Sequence, residues 1–183
     1  MAAVFVFFAD GLEEIEALTQ VDLLRRAGNA VTTVSIMGKR EIRGAHDITV
    51  IADLLLEEAD FRGGDLFILP GGGEGTQNLK ACKPLGELLK EKYAAGKRIA
   101  AICAAPSILG GLGLLEGKRA TVYPGMEETL DGAQYQDVPA VTDGLITTGH
   151  GPGAAMDFGL ELVRLLNGEQ AAAELKKQLV YQH

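Results

Sequence analysis

Three short apolar runs constrain this chain more than any other feature: Val4-Phe5-Val6-Phe7-Phe8-Ala9, Asp65-Leu66-Phe67-Ile68-Leu69 and Arg98-Ile99-Ala100-Ala101-Ile102. Within them apolar residues do not alternate with polar ones, so neither face of such a strand suits water. Strands of this kind belong inside a parallel sheet covered on both sides. Longer stretches with helical spacing lie between and after them. Residues 12–27 read as a helix closed by Arg25-Arg26 with Gly28 beyond, 79–95 as one stopped by Gly96, and 154–166 and 170–179 as two more. Further strands are expected at 30–36, near 120–122 and at 145–148, with 42–51, broken by Gly44, as a small hairpin or edge pair. Another helix opens at Ala104-Ala105-Pro106-Ser107, where proline is tolerated because a first-turn amide has no partner inside the helix. This alternation predicts one α/β domain over residues 1–183, a three-layer sandwich around a mostly parallel sheet.

Charge and composition remove several function classes. Seventeen basic against twenty-five acidic side chains leave −8 at pH 7. Such a chain lacks the basic footprint that displaces counterions, so nucleic acid is not expected as a partner. The apolar runs fall short of the roughly 20 residues that span a bilayer, and no basic segment precedes the first of them. A cytoplasmic location without membrane contact is the expectation. Cys82 and Cys103 form neither a disulfide framework nor a CxxC motif, and no grouping of His, Cys and carboxylates has metal-ligand spacing, so no metal is expected.

In an open α/β sheet, ligands collect beyond the carboxyl ends of the strands. Four such ends carry notable residues. Cys103 stands at a sharp strand-to-helix turn, presented as a nucleophile would be, with the amide of Ala104 as an oxyanion donor. A helix N-terminus there would lower the thiol's pKa, whereas a cysteine that merely packs is the plain alternative. Cys82, in a polar helical stretch, has no such turn. Glu16 shares a helical stripe with Leu12, Thr19, Leu23 and Ala27, while Glu13 and Glu14 point elsewhere, toward solvent or the helix terminus. Buried, Glu16 would keep its proton; exposed, it would be an ordinary solvated acid. Gly71-Gly72-Gly73 lets backbone amides approach a ligand, or simply turns the chain. It is neither a Walker loop, having no following Gly-Lys-Ser/Thr, nor a dinucleotide fingerprint, since Thr76 stands where the last glycine belongs. The fourth end, Thr148-Gly149-His150-Gly151-Pro152-Gly153, carries a histidine without a nearby acid to orient it.

Together these pieces resemble the ThiJ/PfpI superfamily, and within it the branch of the parkinsonism-associated protein deglycase. Glu13-Glu14-Ile15-Glu16 resembles that branch's E-E-x-E start, Leu69-Pro70-Gly71-Gly72 its L-P-G-G, and Ala100-Ala101-Ile102-Cys103-Ala104-Ala105-Pro106 its A-A-I-C-A-x-P elbow; Gly151-Pro152-Gly153 matches its late G-P-G turn. The resemblance implies a flavodoxin-like sandwich, a homodimer and no cofactor. It also implies a reactive Cys103 beside a protonated Glu16, with oxyanion contacts from the amides of Gly72 and Ala104. Gly71, Tyr123, His150, Gly151 and Pro152 would line the pocket. The implied activity is conversion of 2-oxoaldehydes, or removal of early glycation adducts from proteins, through a Cys103 hemithioacetal with Glu16 relaying a proton. The alternative is a redox-sensing stress protein or chaperone that works by oxidation of Cys103. Two departures stand out: Tyr123-Pro124 replaces the His-Pro of several relatives, and His150 precedes Gly-Pro-Gly. Protease relatives carry His after the nucleophile, where this chain has Ala104. Amidotransferases need G-x-C-x-G, where this chain has Ala101 and Ala105, and a downstream H-x-E that it lacks. The first helix carries Leu18, Val21 and Leu24 off its buried stripe, an apolar surplus that a two-fold partner would cover.

Overall fold

The computed structural model, which describes residues 1–182, is built on a seven-stranded sheet in the order β10-β11-β7-β6-β1-β2-β5. Its strands are β1 (Ala3–Phe8), β2 (Ala30–Ser35), β5 (Leu54–Leu55), β6 (Leu66–Leu69), β7 (Arg98–Ile102), β10 (Ala140–Asp143) and β11 (Ile146–Gly149). All neighbours run parallel except β10, which returns antiparallel along β11. Strands β3 (Glu41–Arg43) and β4 (Thr49–Ile51) form the expected hairpin. The short pair β8 (Arg119–Ala120) and β9 (Gln134–Tyr135) forms a second small ladder. Omitting the two edge strands leaves β2-β1-β6-β7-β11, the flavodoxin-like winding, which reverses direction next to β1.

The absence of alternation in the central strands now has its cause. Val4, Val6, Phe8, Ala100 and Ile102 pack on one side beneath helices α1 (Glu14–Arg26) and α5 (Ala155–Asn167), through Leu23, Leu24, Phe158 and Leu162. Phe5, Phe7, Phe67, Leu69, Ile99 and Ala101 pack on the other. There they meet α2 (Gly73–Ala81), α3 (Lys83–Ala94) and α4 (Pro106–Gly111) through Leu79, Leu85, Leu89, Ile108 and Leu109. Each face has its own helical layer, so every position along the strand must be apolar. The last helix, α6 (Glu169–Gln178), packs on α5.

Two expectations are corrected. The helix expected over 79–95 is two helices, broken at Cys82 with ψ 90°, because Pro84 has no N–H for the Lys80 carbonyl and its ring would clash there, whereas the first turn of a new helix accepts it. The first of the two begins earlier, inside the glycine run. On α1, Val21 and Leu24 are buried in the chain's own core rather than left over, and Ile15 and Leu18 are the exposed apolar residues. Among the described residues no helix is long and apolar enough to cross a membrane.

Candidate active site at the carboxyl ends of the central strands

The site lies where β1, β6 and β7 end, beside the reversal in strand order. Cys103 follows β7 directly and sits at φ +65°, a left-handed conformation that costs a non-glycine residue roughly 1–2 kcal/mol. The strain is fixed from both sides. Its N–H donates to the Gly149 carbonyl at the end of β11 (2.9 Å), and its carbonyl accepts the Tyr123 N–H (2.8 Å). The side chain is thereby lifted off the strand path and held at a surface exposure of only 8%.

Glu16 reaches the same place from α1. It is fully buried, and its Oε2 accepts the Gly71 N–H at 2.8 Å. Among the described residues its buried Oε1 has no hydrogen-bond partner, and the Cys103 thiol interacts with this carboxyl. Gly71 is what lets the two meet: a Cβ there would stand 2.5 Å from Glu16 Oε2 and 2.7 Å from Cys103 Cβ. Gly72 follows at φ +95° with its Cα against the loop after β1, where a Cβ would strike the Gly11 carbonyl at 2.2 Å. Only glycine fits either position. The amides of Ala104 and Gly72 both point at the sulfur.

The charge state departs from the sequence expectation. Burial pushes the Cys103 thiol up, and the neighbouring Glu16 carboxylate pushes it further, to about 12; the Ala104 and Gly72 amides oppose the rise but do not cancel it. The helix expected to lower it, α4, has six residues and a correspondingly weak dipole. Burial also raises Glu16, with a further push from the charge of Glu13, to about 7. Ionising either member opposes ionising the other. The pair therefore sheds one proton near neutrality and holds the second well beyond it.

Glu13 and Glu14, expected toward solvent or the helix terminus, are both buried. Glu13 caps α1 by accepting the Glu16 N–H (2.7 Å). Glu14 is gripped by the hairpin loop: Oε1 accepts the His46 N–H and Oε2 meets His46 Nδ1, both at 2.7 Å. Burial alone would raise Glu14, but the His46 ring and amide outweigh it and hold the carboxyl below its usual range. Glu13, Glu14 and His46 thus bring three possible metal-ligand atoms within 4.8 Å of one another, a grouping that the sequence spacing does not announce. The ion pair already accounts for Glu14.

Tyr123, His150, Gly151 and Pro152 line one cavity of about 450 Å³, together with Asp137 and Asp157, which the sequence did not single out. Neither Cys103 nor Glu16 is part of its wall. It adjoins the nucleophile through Tyr123, whose amide is bonded to Cys103, and through His150, next in the chain after Gly149. His150 Nδ1 lies 3.0 Å from the Thr121 hydroxyl, which orients a ring that no acid in the sequence seemed to hold.

With this geometry in view, the likenesses to known proteins fall into one group. A DJ-1/PfpI family model matches residues 2–165. The chain is 36% identical to the Parkinson disease protein 7 homolog of Danio rerio, covering 96% of this chain and 95% of that one. It is 40% identical to protein DJ-1 homolog B of Arabidopsis thaliana, of which it spans only 41%. A protein of Pyrococcus abyssi named as a deglycase is 32% identical over 165 residues, covering 89% of this chain and 98% of that one. Among solved structures, oxidized Toxoplasma gondii DJ-1 superposes with a TM-score of 0.96 at 33% identity over the whole of both chains. Drosophila melanogaster DJ-1beta gives 0.95 at 34%, covering 100% of this chain and 99% of that one. In sequence and in fold alike, the chain belongs to the DJ-1/PfpI family.

Proposed function

We propose that this protein is a cysteine enzyme that converts reactive 2-oxoaldehydes, free or as early glycation adducts on proteins, using Cys103 as nucleophile and Glu16 as proton relay. The observation that carries the reading is the meeting of these two side chains across Gly71, where no Cβ fits. A carboxyl near pH 7 is poised to give or take a proton at working pH. As the substrate enters, the thiol passes its proton to the Glu16 carboxylate and the sulfur adds to the aldehyde carbon, forming a hemithioacetal. The oxyanion that develops is met by the Ala104 and Gly72 amides. Glu16 returns the thiol's proton to that oxyanion and, again a carboxylate, moves the proton of the same carbon to the neighbouring carbonyl carbon while the hydroxyl proton passes to the neighbouring oxygen, giving the thioester of a 2-hydroxy acid. Water cleaves the thioester, releasing the acid and restoring the thiol. Substrate and water together equal the product, so the sequence of steps is balanced without a redox partner.

The likeness to a protein named as a deglycase supports the adduct branch of this reading. A redox role for the same pair is favoured by one observation: two amides and a carboxylic acid converge on one sulfur, an arrangement suited to the oxygens of a sulfinate. The proposal includes a homodimer. Ile15 and Leu18 on α1 and Ile48 and Ile51 of the hairpin are exposed, and the hairpin docks on the start of α1 through the Glu14–His46 pair. Turnover of methylglyoxal to lactate by the purified protein tests the enzymatic reading. Loss in both Cys103→Ala and Glu16→Gln supports it; turnover that survives either change, or none in the wild type, overturns it.

A further inference from the structure

The last step of the proposed reaction asks for two proton transfers at once. Burial and the Glu16 carboxylate hold the Cys103 thiol up, at about 12, so the sulfur leaves the acyl carbon readily only if it is protonated as the bond breaks. Glu16 interacts with that sulfur and is the acid placed to do this. It cannot take the proton of the attacking water in the same step, and it is fully buried, outside the wall of the adjoining cavity. The pair therefore lacks a base on the cavity side. His150 lines that cavity, half-buried, and it is held there. Its N–H donates to the Pro139 carbonyl at 3.0 Å. Its Nδ1 lies 3.0 Å from the hydroxyl of the fully buried Thr121. Thr121 is fixed in turn by its own N–H, which donates to the buried Thr148 hydroxyl at 2.8 Å. With Nδ1 turned to Thr121, Nε2 is the ring nitrogen left for a group in the cavity.

We infer that His150 is the general base of the hydrolytic step, taking through Nε2 a proton from the water that cleaves the Cys103 thioester. This rests on the reading of Cys103 as the nucleophile and adds a residue to it. Water reaches the acyl carbon from the cavity; its oxygen adds to the carbon as one O–H bond breaks and the proton goes to Nε2. The oxyanion, met by the Ala104 and Gly72 amides, collapses, the C–S bond breaks, and the sulfur takes the proton of Glu16. Solvent returns one proton to Glu16 and removes one from His150, so a single water is consumed and nothing is oxidised or reduced. The Thr121 hydroxyl suits this role, because it can accept the Nδ1–H bond both before and after Nε2 gains its proton, and the ring need not turn. Glu127, close enough to interact electrostatically with His150, sets a negative charge near the imidazolium that forms. The carboxylates sharing the wall, Asp137 and Asp157, are already engaged by the hydroxyls of Tyr135 and Tyr181.

para-Nitrophenyl acetate separates this step from the rest of the reaction, because it acylates a nucleophilic cysteine directly. The wild type should give a burst of para-nitrophenolate and then deacylate, with the acetyl group located at Cys103 by mass spectrometry. In His150→Gln the burst should keep its size and rate while deacylation slows about 100-fold. In His150→Ala added imidazole should restore deacylation, which a purely structural role of the side chain would not produce. With methylglyoxal, His150→Gln should accumulate the lactoyl thioester at Cys103. Deacylation as fast in His150→Gln as in the wild type, equal slowing of burst and deacylation, or no rescue by imidazole overturns the inference. Methylglyoxal turnover that still requires Cys103 and Glu16 then leaves the enzymatic reading standing. Deacylation that depends on His150, without methylglyoxal turnover in the wild type, overturns the oxoaldehyde reading alone. No acyl group at Cys103 from either compound, in wild type or variant, overturns both.

Discussion

Replacing Glu16 by Gln removes one proton-binding group from the core while keeping the shape of the side chain and an oxygen for the Gly71 amide. The carboxyl, ordinarily at 4.5, is raised by burial to about 7. Between those limits the native state holds a proton that the unfolded chain has released. Stability from this group is therefore fully present below pH 4.5 and is lost as pH rises through 7, since unfolding becomes coupled to proton release. At about 1.4 kcal/mol for each tenfold in the ionisation constant, the loss amounts to roughly 3 kcal/mol by about pH 8. Glutamine carries no such dependence. Urea unfolding of both proteins, followed by circular dichroism from pH 4.5 to 8 at one protein concentration, gives the difference curve, in which the other titrating groups cancel. Relative to wild type, the variant should gain about 2–3 kcal/mol across this interval. A difference independent of pH would refute a protonated Glu16, and a gain of the opposite sign would mean that the fold favours the carboxylate.

The other consequences concern the backbone of the site and the surface beside it. Gly71→Ala inserts a Cβ between Glu16 and Cys103; it should destabilise the protein by about 1–3 kcal/mol in denaturant titration and abolish methylglyoxal turnover. At position 103, with φ +65°, the usual order should invert: Cys103→Gly is expected to match or exceed Cys103→Ala in stability by up to about 1 kcal/mol, because only glycine relaxes there without strain. Leu18→Glu, together with Ile51→Glu, places charge on the exposed apolar face; sedimentation at low micromolar concentration should show a dimer in the wild type and a monomer in the double variant.

The central strands were legible because full burial on both faces leaves a local mark: a run such as Val4-Phe5-Val6-Phe7-Phe8 admits no polar residue at any position. The edge strands carry no such mark. Leu54–Leu55 pairs through two residues, and Ala140–Asp143, half-buried throughout, reads as loop. The start of α2 was hidden by glycines that local propensity assigns to a turn. Gly75 lies inside that helix because a Cβ would come within 2.8 Å of the Gly11 carbonyl and the Leu12 backbone. That requirement comes from a segment more than sixty residues away in the chain, and helix propensity yields to it.

The same division runs through the site. Positions set by local geometry could be read: the turn after a buried strand presents Cys103, and helical spacing turns Glu16 inward. Charge states could not, because they depend on what the fold brings from elsewhere. The thiol seemed destined to titrate low beside a helix N-terminus, yet the helix has only six residues and the sulfur is buried against an acid from a different element. Glu14 seemed free to face water until the hairpin loop, thirty-two residues on, supplied His46 to hold it. His46 in turn fixes the loop against the start of α1, while Glu13, capping that helix beside it, supplies the negative field that helps raise Glu16. The proton at Glu16 is thus set by burial and by Glu13, an acid of the same motif, and not by the helical spacing that turns Glu16 inward. A relative with the same Glu and Cys but another residue at the Glu13 position should retain the geometry and titrate lower.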